Sequence, residues 1–259
     1  MNLMPENLVN TGVIVPTMGT RSELLLTCLS SIREAGQSFI MLVAPTSFDH
    51  TPLFDAGLID AVYPDPKLGL ADAINQGIKN LPAEIKYATW LGDDDLLNPG
   101  VLTECEHFLN RYSSTVMVYG DCRYIDHEGR TIWENSFGKF AAKILRIGPC
   151  LIPQPGSLFR RNVFQQINGL DTQYGWAFDF DLFIRLSKVG RIEYMSKELA
   201  AFRWHSDSLT VRQRKASVRE ASMVRRRNQT LMVRMVLSPL EPLIRFATLY
   251  GPVIFKKTS

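Results

Sequence analysis

Cysteine is scarce in this sequence, and long apolar runs are missing. The four cysteines, Cys28, Cys105, Cys122 and Cys150, lie far apart and form no CxxC pair, which argues against zinc or disulfide scaffolds and predicts reduced thiols in the cytoplasm. A membrane-spanning helix needs about 20 apolar residues, and prolines and charged residues interrupt the apolar C-terminal stretch before that length. The chain starts without the basic-then-apolar pattern of a signal peptide. We therefore expect a cytoplasmic protein without a membrane span.

Charge of one sign is not in large excess overall, but basic residues are concentrated in one segment. The 259 residues have a net charge of +3, whereas eight basic side chains and one acid, Glu220, lie between residues 212 and 234. Residues 211–259 are therefore predicted to form a basic, amphipathic helical tail that holds the protein peripherally on an anionic cytoplasmic membrane surface. The alternative is a helical arm packed on the domain or on another subunit. Nucleic acid is a poorer partner, because no recognised binding motif accompanies the arginines.

Short apolar strands alternate with amphipathic helices in the first half of the chain. Strands are predicted at residues 13–15, 39–43, 61–63 and 87–91, and helical periodicity follows the first, third and fourth. This alternation is typical of a doubly wound α/β sheet. The second half is less regular and predicts a mixed sheet, with a hairpin at 122–133, a strand at 157–159, a helix at 180–189 and strands at 192–195 and 199–204.

Three adjacent carboxylates, Asp93, Asp94 and Asp95, follow the fourth predicted strand. Open α/β sheets bind ligands at the carboxyl ends of their strands. Because adjacent carboxylates repel one another, they need a cation or hydrogen-bond donors to neutralise them. Oxygen ligands suit Mg²⁺ or Mn²⁺, which completes its coordination with phosphate oxygens and water. The alternative is a solvated acidic turn.

Five segments in order resemble the family 2 glycosyltransferases, which have the GT-A fold. They are VIVPT at 13–17, GLADAINQG at 69–77, DDD at 93–95, QPGSLFRR at 154–161 and DFDLFIRL at 179–186. The likeness runs to about residue 210 and implies a GT-A domain over 1–210, with a nucleotide-sugar-binding half to about 120 and an acceptor half after it. It implies an enzyme that moves a sugar from a nucleoside diphosphate donor to an acceptor hydroxyl with inversion, in surface polysaccharide or lipid-linked glycan synthesis.

The resemblance also implies roles for residues on the donor side. It assigns nucleotide contacts to Pro16, Thr17, Asp72, Asp93 and Asp94, and it assigns the Mn²⁺ or Mg²⁺ to Asp93 and Asp95 with His205 as a possible further ligand. For Asp72 the alternative is a helix residue in a first turn, and for His205 it is a packed residue beside Trp204. Relatives often carry an Asp-Asp-Gly-Ser type sequence where this chain has Ala44-Pro45-Thr46-Ser47. The nucleotide therefore stays open, although a UDP-sugar is favoured.

On the acceptor side, the resemblance places the catalytic base at Asp179. Phe178 stands where the family usually has Glu, and Asp181 is the alternative carboxylate or a structural residue of the first helical turn. Gln154, Trp176 and Asp181 are the predicted acceptor contacts. Two other functions remain: a catalytically inactive nucleotide- or sugar-binding subunit, and a sugar-phosphate nucleotidyltransferase, whose glycine-rich loop Met18-Gly19-Thr20-Arg21 only faintly resembles.

Overall fold

The computed structural model describes residues 9–135, 137–204 and 214–245. The strands are β1 Thr11–Pro16, β2 Phe39–Ala44, β3 Ala61–Pro64, β4 Tyr87–Trp90, β5 Leu96–Leu97, β6 Thr115–Ile125, β7 Thr131–Asn135, β8 Leu158–Arg160 and β9 Arg191–Arg203. The helices are α1 Ser22–Ala35, α2 Thr51–Asp55, α3 Leu70–Lys79, α4 Val101–Arg111, α5 Lys139–Ile144, α6 Arg161–Gln166, α7 Phe178–Val189, α8 Arg214–Asn228 and α9 Leu231–Leu237, followed by a 3-10 turn at Ser238–Leu240.

All nine described strands belong to one mixed sheet. Its order is β3-β2-β1-β4-β8-β6-β9-β5, and β7 pairs with β6. The first four strands in this order are parallel, whereas β8 runs antiparallel to both of its neighbours, β4 and β6. Parallel pairing brings the carboxyl ends of β1, β2 and β4 to one edge of the sheet, where the acid cluster follows β4.

Helices cover both faces of the sheet, as the apolar pattern of the strands requires. In β1, Ile14 faces one buried core, and Val13 and Val15 face the other. Helices α1, α2 and α4 contribute to the second core, and α3, α6, α7 and α8 contribute to the first. The predicted α/β fold, a doubly wound mixed sheet flanked by helices, is confirmed.

The GLADAINQG segment makes packing contacts that position α3 on the sheet. The amide of Asn75 exchanges hydrogen bonds with the backbone of Leu170, at 2.9 Å to its oxygen and 2.8 Å from its nitrogen. A Cβ atom at Gly77 would lie 2.6 Å from the Ile14 side chain, so glycine allows α3 to approach β1. Asp72 lies in the first turn of α3, near the carboxyl edge of the sheet.

The second half differs from the prediction in one strand and in two short helices, α5 and α6, that the sequence did not predict. Where two strands were expected at 192–195 and 199–204, β9 is continuous over Arg191–Arg203. It pairs in parallel with β6 along its length, and the register shifts near Asp121 absorb the irregular residues between the two expected strands. Within the described residues, no helix is both long and apolar enough to span a bilayer.

The first helix of the predicted tail packs on the domain. Val224 of α8 is fully buried in the core shared with α7. Glu220 accepts hydrogen bonds from the backbone N–H groups of Gly175, Trp176 and Ala177, at 3.1, 2.7 and 3.0 Å. Arg225 is also buried and pairs with Glu241 at 2.9 Å, so this arginine is not available to a membrane. For α8 the structure supports the packed arm, the alternative given above, because its apolar side chains Val218 and Val224 are buried. Membrane binding by the tail stays a prediction.

Candidate active site

The three carboxylates of the acid cluster are buried at the carboxyl edge of the sheet. Asp93, Asp94 and Asp95 are 5%, 9% and 4% exposed, so they do not form a solvated turn. Burial raises the pKa of Asp93, against the lowering effects of Thr17 and Arg21. Burial raises the pKa of Asp95 well above its usual range, and the neighbouring charge of Asp94 adds to this. The cluster therefore favours the approach of positive charge.

Arg21 supplies part of that positive charge. It precedes the first residue of α1, and its guanidinium donates to the carboxylates of Asp93 and Asp94. Thr17 donates from Oγ1 to Oδ2 of Asp93 at 2.6 Å, and the same hydroxyl accepts from the N–H of Gly19 at 3.0 Å. Gly19 has a φ of 72°, a conformation that glycine adopts readily. The turn after β1 thus aims a hydroxyl and a guanidinium at the cluster.

Arg203 holds the other side of the cluster. The short strand β5 pairs with the end of β9, which returns Arg203 to the turn after β4. Its backbone N–H donates to Oδ1 of Asp95 at 2.9 Å, and its Nε donates to the backbone oxygen of Asp94 at 2.9 Å. The guanidinium also donates to the backbone oxygens of Asp126 and His127. Arg203 therefore fixes the cluster to the β6–β7 hairpin.

The donor set is chemically suited to a divalent cation, although the protein alone does not complete a coordination shell. Arg21 donates to the carboxylates of Asp93 and Asp94, whereas the guanidinium of Arg203 donates to backbone oxygens. By formal count, the three acids exceed these two guanidinium groups by one charge. Among the described residues, no group of three His, Cys, Asp or Glu side chains is arranged to hold a metal ion. Mg²⁺ and Mn²⁺ commonly take few protein carboxylates together with phosphate oxygens and water. His205 lies outside the described residues, so metal ligation by Asp93, Asp95 and His205 stays a prediction.

Asp179 is a carboxylate whose raised pKa suits the role of a general base. It lies half-buried in the first turn of α7, and burial raises its pKa to about 6. Its Oδ1 accepts from the N–H of Phe180 at 2.7 Å. The pKa of the neighbouring Cys150 thiol is raised well above its usual range, first by burial and then by the charge of Asp179. A general base works best when its pKa lies near the working pH and a substrate can reach it. Asp179 meets both conditions.

Asp181 has a structural environment. It is 2% exposed and accepts from Nε of Arg185 at 2.6 Å, while Arg185 also donates to the backbone oxygen of Ile167 at 2.8 Å. This pair joins α7 to the end of α6. The acceptor contact predicted for Asp181 stays untested, but its burial and its ion pair weigh against it.

The other predicted acceptor residues are connected to the site in different ways. Gln154 donates from Nε2 to the backbone oxygen of Trp90 at 2.8 Å, which holds the QPGS segment against the end of β4 beside the acid cluster. Trp176 is half-buried in the turn that Glu220 caps, directly before α7. Gln154 uses its side-chain amide in this bond, and Trp176 is held by its backbone N–H. Neither contact shows an acceptor site, so an acceptor role for either residue stays a prediction.

Sequence reasoning missed Tyr124, which lies close enough to the acid cluster for the charge of Asp95 to affect its pKa. Burial raises the pKa of Tyr124, and a charge on Cys122, Cys150 or Asp95 raises it further. The Tyr124 ring packs 4.6 Å from Trp133, 5.3 Å from Phe202 and 5.9 Å from Trp204, measured between ring centroids. The available signal was the placement of two aromatic residues, Tyr124 and Trp133, on either side of the predicted hairpin turn, where they pair across the hairpin.

Comparisons with known proteins agree with this architecture. The chain matches no model of a known protein family. It is 26% identical over 191 residues to a protein of Rickettsia felis named an uncharacterised glycosyltransferase, covering 70% of this chain and 31% of that protein. A protein of Rickettsia prowazekii with the same description is 26% identical over 149 residues, covering 55% of this chain and 46% of that protein. The chain thus spans less than half the length of these relatives.

Solved structures extend the likeness to nearly the whole chain. A crystal structure of S. aureus TarS 1–349 has a TM-score of 0.62 at 13% identity and covers 96% of this chain and 89% of that one. The mannosyltransferase PcManGT from Pyrobaculum calidifontis, solved with GDP-Man and Mn²⁺, has a TM-score of 0.61 at 15% identity and covers 96% and 73%. TarS 1–349 was also solved with UDP, at a TM-score of 0.58, 14% identity and coverage of 85% and 68%. The fold is shared with these solved structures, and the names of the Rickettsia relatives support the glycosyltransferase class for this protein.

Proposed function

We propose that this protein is a metal-dependent, inverting family 2 glycosyltransferase that moves a hexosyl or N-acetylhexosaminyl group from a nucleoside diphosphate sugar to a hydroxyl of a glycan acceptor. One observation carries the proposal. A buried acid cluster with an attached guanidinium lies at the strand edge where such folds bind nucleotides, and a separate carboxylate, Asp179, has its pKa raised to about 6. The neighbours solved with UDP and with GDP-Man support the donor class.

On the donor side, the residues of the β1 turn and the acid cluster bind the nucleotide. Asp93 accepts hydrogen bonds from Thr17 and Arg21. When the donor binds, ribose hydroxyls replace these donors, so the carboxylate keeps its hydrogen bonds. Arg21 is 37% exposed in its side chain, so its guanidinium can turn from the carboxylates to a phosphate oxygen. A divalent metal held by Asp95 and Asp93 would supply Lewis-acid stabilisation of the departing diphosphate.

On the acceptor side, Asp179 acts as the general base. The acceptor O–H bond breaks as its proton passes to the Asp179 carboxylate, and the acceptor oxygen bonds to the anomeric carbon. The bond from that carbon to the diphosphate breaks, and the electron pair leaves on the diphosphate. The acceptor oxygen attacks from the side opposite the diphosphate in a single displacement, with Asp179 as its only base. The product therefore has the inverted anomeric configuration.

A panel of UDP- and GDP-sugars, assayed for hydrolysis and transfer with Mn²⁺ or Mg²⁺, tests this function. We expect one donor to be turned over by the intact protein and bound, but not turned over, by Asp179→Asn. Binding of a nucleotide sugar without turnover by the intact protein would instead identify the inactive binding subunit. Release of pyrophosphate from a nucleoside triphosphate and a sugar phosphate would identify the nucleotidyltransferase.

A further inference from the structure

Helix α9 exposes an apolar surface that the rest of the described domain does not cover. None of its residues is buried. Four large apolar side chains are between 62% and 73% exposed: Leu231, Met232, Met235 and Val236. Leu240 and Leu243, which follow the helix, are 48% and 64% exposed. Such a concentration of exposed apolar side chains marks an interaction surface.

A second segment, distant in sequence, has the same character. In α5 and the turn after it, Phe140 is 56% exposed and Ile147 is 45% exposed. Lys139, Lys143 and Arg146 are exposed around them, and no acidic residue occurs between positions 137 and 147. The segment therefore combines apolar and cationic side chains.

Hydrogen bonds bring the two segments together. Gln229, between α8 and α9, donates from Nε2 to the backbone oxygen of Arg146 at 3.2 Å. The Arg146 side chain donates to the backbone oxygen of Ser187 at 2.6 Å, and Lys188 donates to Asn228 at 2.6 Å. Both segments are thus fixed beside the end of α7. We call the exposed apolar and basic side chains of residues 139–147 and 231–243 the α5–α9 surface.

The charge of the α5–α9 surface selects its partner. The acid within residues 231–243, Glu241, is paired with Arg225 and with Arg245. Arg234 lies among the apolar residues of α9, and residues 246–259 contain two lysines and no acid. A second copy of this chain would bring like charges together in a symmetric contact, whereas an anionic bilayer offers both apolar chains and negative headgroups.

We propose that the α5–α9 surface docks on an anionic lipid bilayer. Both segments bond to the last turn of α7, at Ser187 and Lys188, and Asp179 lies in the first turn of the same helix. This docking assigns the membrane contact to α5 and α9 together, rather than to the arginines of α8, and it stands independently of the proposed catalysis.

Flotation of the full chain with vesicles of phosphatidylcholine, with and without phosphatidylglycerol, tests the proposal. We expect binding to the anionic vesicles only, and weaker binding as salt rises because screening shortens the reach of the basic side chains. Met232→Gln with Val236→Gln in α9, and separately Phe140→Gln with Lys143→Gln in α5, are each expected to weaken binding about tenfold or more. Leu26→Gln is the matched control, since Leu26 is 44% exposed on α1, on the other face of the sheet, and it should bind as the unmodified chain does.

Three outcomes overturn the proposal. The first is unchanged flotation in both pairs of variants, and the second is loss in the α9 pair alone. The third is a dimer of the unmodified chain that does not float and that either pair converts to a monomer, because a second copy would then be the partner. Circular dichroism and donor hydrolysis in solution, which are expected to stay unchanged in all variants, separate loss of docking from unfolding. If vesicle binding follows the expectation while no donor is hydrolysed, the proposed catalysis fails and the docking stands.

Discussion

Replacing the carboxylate of Asp179 by an amide is expected to abolish turnover while making the protein more stable. Burial raises the pKa of Asp179 to about 6, against an ordinary value of 3.8. A carboxyl group with a raised pKa in the folded state favours folding at pH values below its unfolded pKa. That contribution is lost as the pH rises through about 6. Above pH 6 the charged Asp179 therefore destabilises the fold, and Asp179→Asn removes the charge while its Oδ1 can still accept from Phe180.

The size of the gain follows from the shift. About two pKa units correspond to about 3 kcal/mol at most, and partial exposure of Asp179 lowers this to about 1 to 2 kcal/mol. For a protein of this size, each kcal/mol changes the melting temperature by roughly 2 to 4 °C. We therefore expect Asp179→Asn to melt several degrees above the unmodified chain at pH 7.5, and the difference to vanish below about pH 3, where the carboxyl is protonated in both states.

The matched control is Asp181→Asn, two residues further along the same helix. Asp181 is buried and paired with Arg185, so neutralising it leaves a partly buried guanidinium without its counter-ion. Breaking such a pair costs about 3 kcal/mol. Calorimetry of the two variants at several pH values should thus give shifts of opposite sign at pH 7.5. A loss of stability in Asp179→Asn at pH 7.5, or a gain that does not depend on pH, would refute the argument from burial.

Four further predictions concern activity and stability. Transfer should fall about tenfold between pH 7 and pH 5 as Asp179 becomes protonated, in a profile of kcat at saturating donor; a flat profile contradicts its role as the base. Chelation should abolish transfer and Mn²⁺ should restore it, whereas Asp95→Ala should stay folded and inactive; activity in excess chelator contradicts metal dependence. Arg21→Ala should weaken binding of the nucleoside diphosphate more than that of the nucleoside, measured by titration calorimetry, and equal losses would contradict a phosphate contact. Glu220→Ala should cost about 1 to 3 kcal/mol of unfolding free energy, because three backbone N–H groups lose their acceptor; an unchanged melting temperature contradicts the capping role.

Local patterns predicted the sheet and the position of the acid cluster. Strand β1 and strand β4 are short apolar runs whose ends are marked by Pro16 and by Asp93, so their carboxyl edge could be located from the sequence alone. The two strands pair with each other in parallel, which the alternation with helices predicts. The confirmed strands and helices are those whose apolar pattern or end residues can be recognised within the element itself.

Contacts between distant residues could not be predicted in the same way. The sequence indicated that the acid cluster needs neutralisation, but Arg21 lies 72 positions before Asp93, and only the folded sheet brings the guanidinium to the carboxylates. The packing of α8 was obscured because Val218 and Val224 are buried on a helix whose composition is dominated by charge. Burial of Asp181 depends in turn on Arg185 and on the end of α6.

The carboxylate of Glu220 connects the C-terminal part of the chain to the helix that carries Asp179, the proposed base. It caps the backbone at the beginning of α7, two residues before Asp179, while α9, three residues after α8, carries the apolar surface. A displacement of α9 would therefore reach α7, which carries the proposed base, through the single packed helix α8. A protein shortened before Arg214 would lose this cap, so its rate would report the alignment of α7 as well as the absence of a tail.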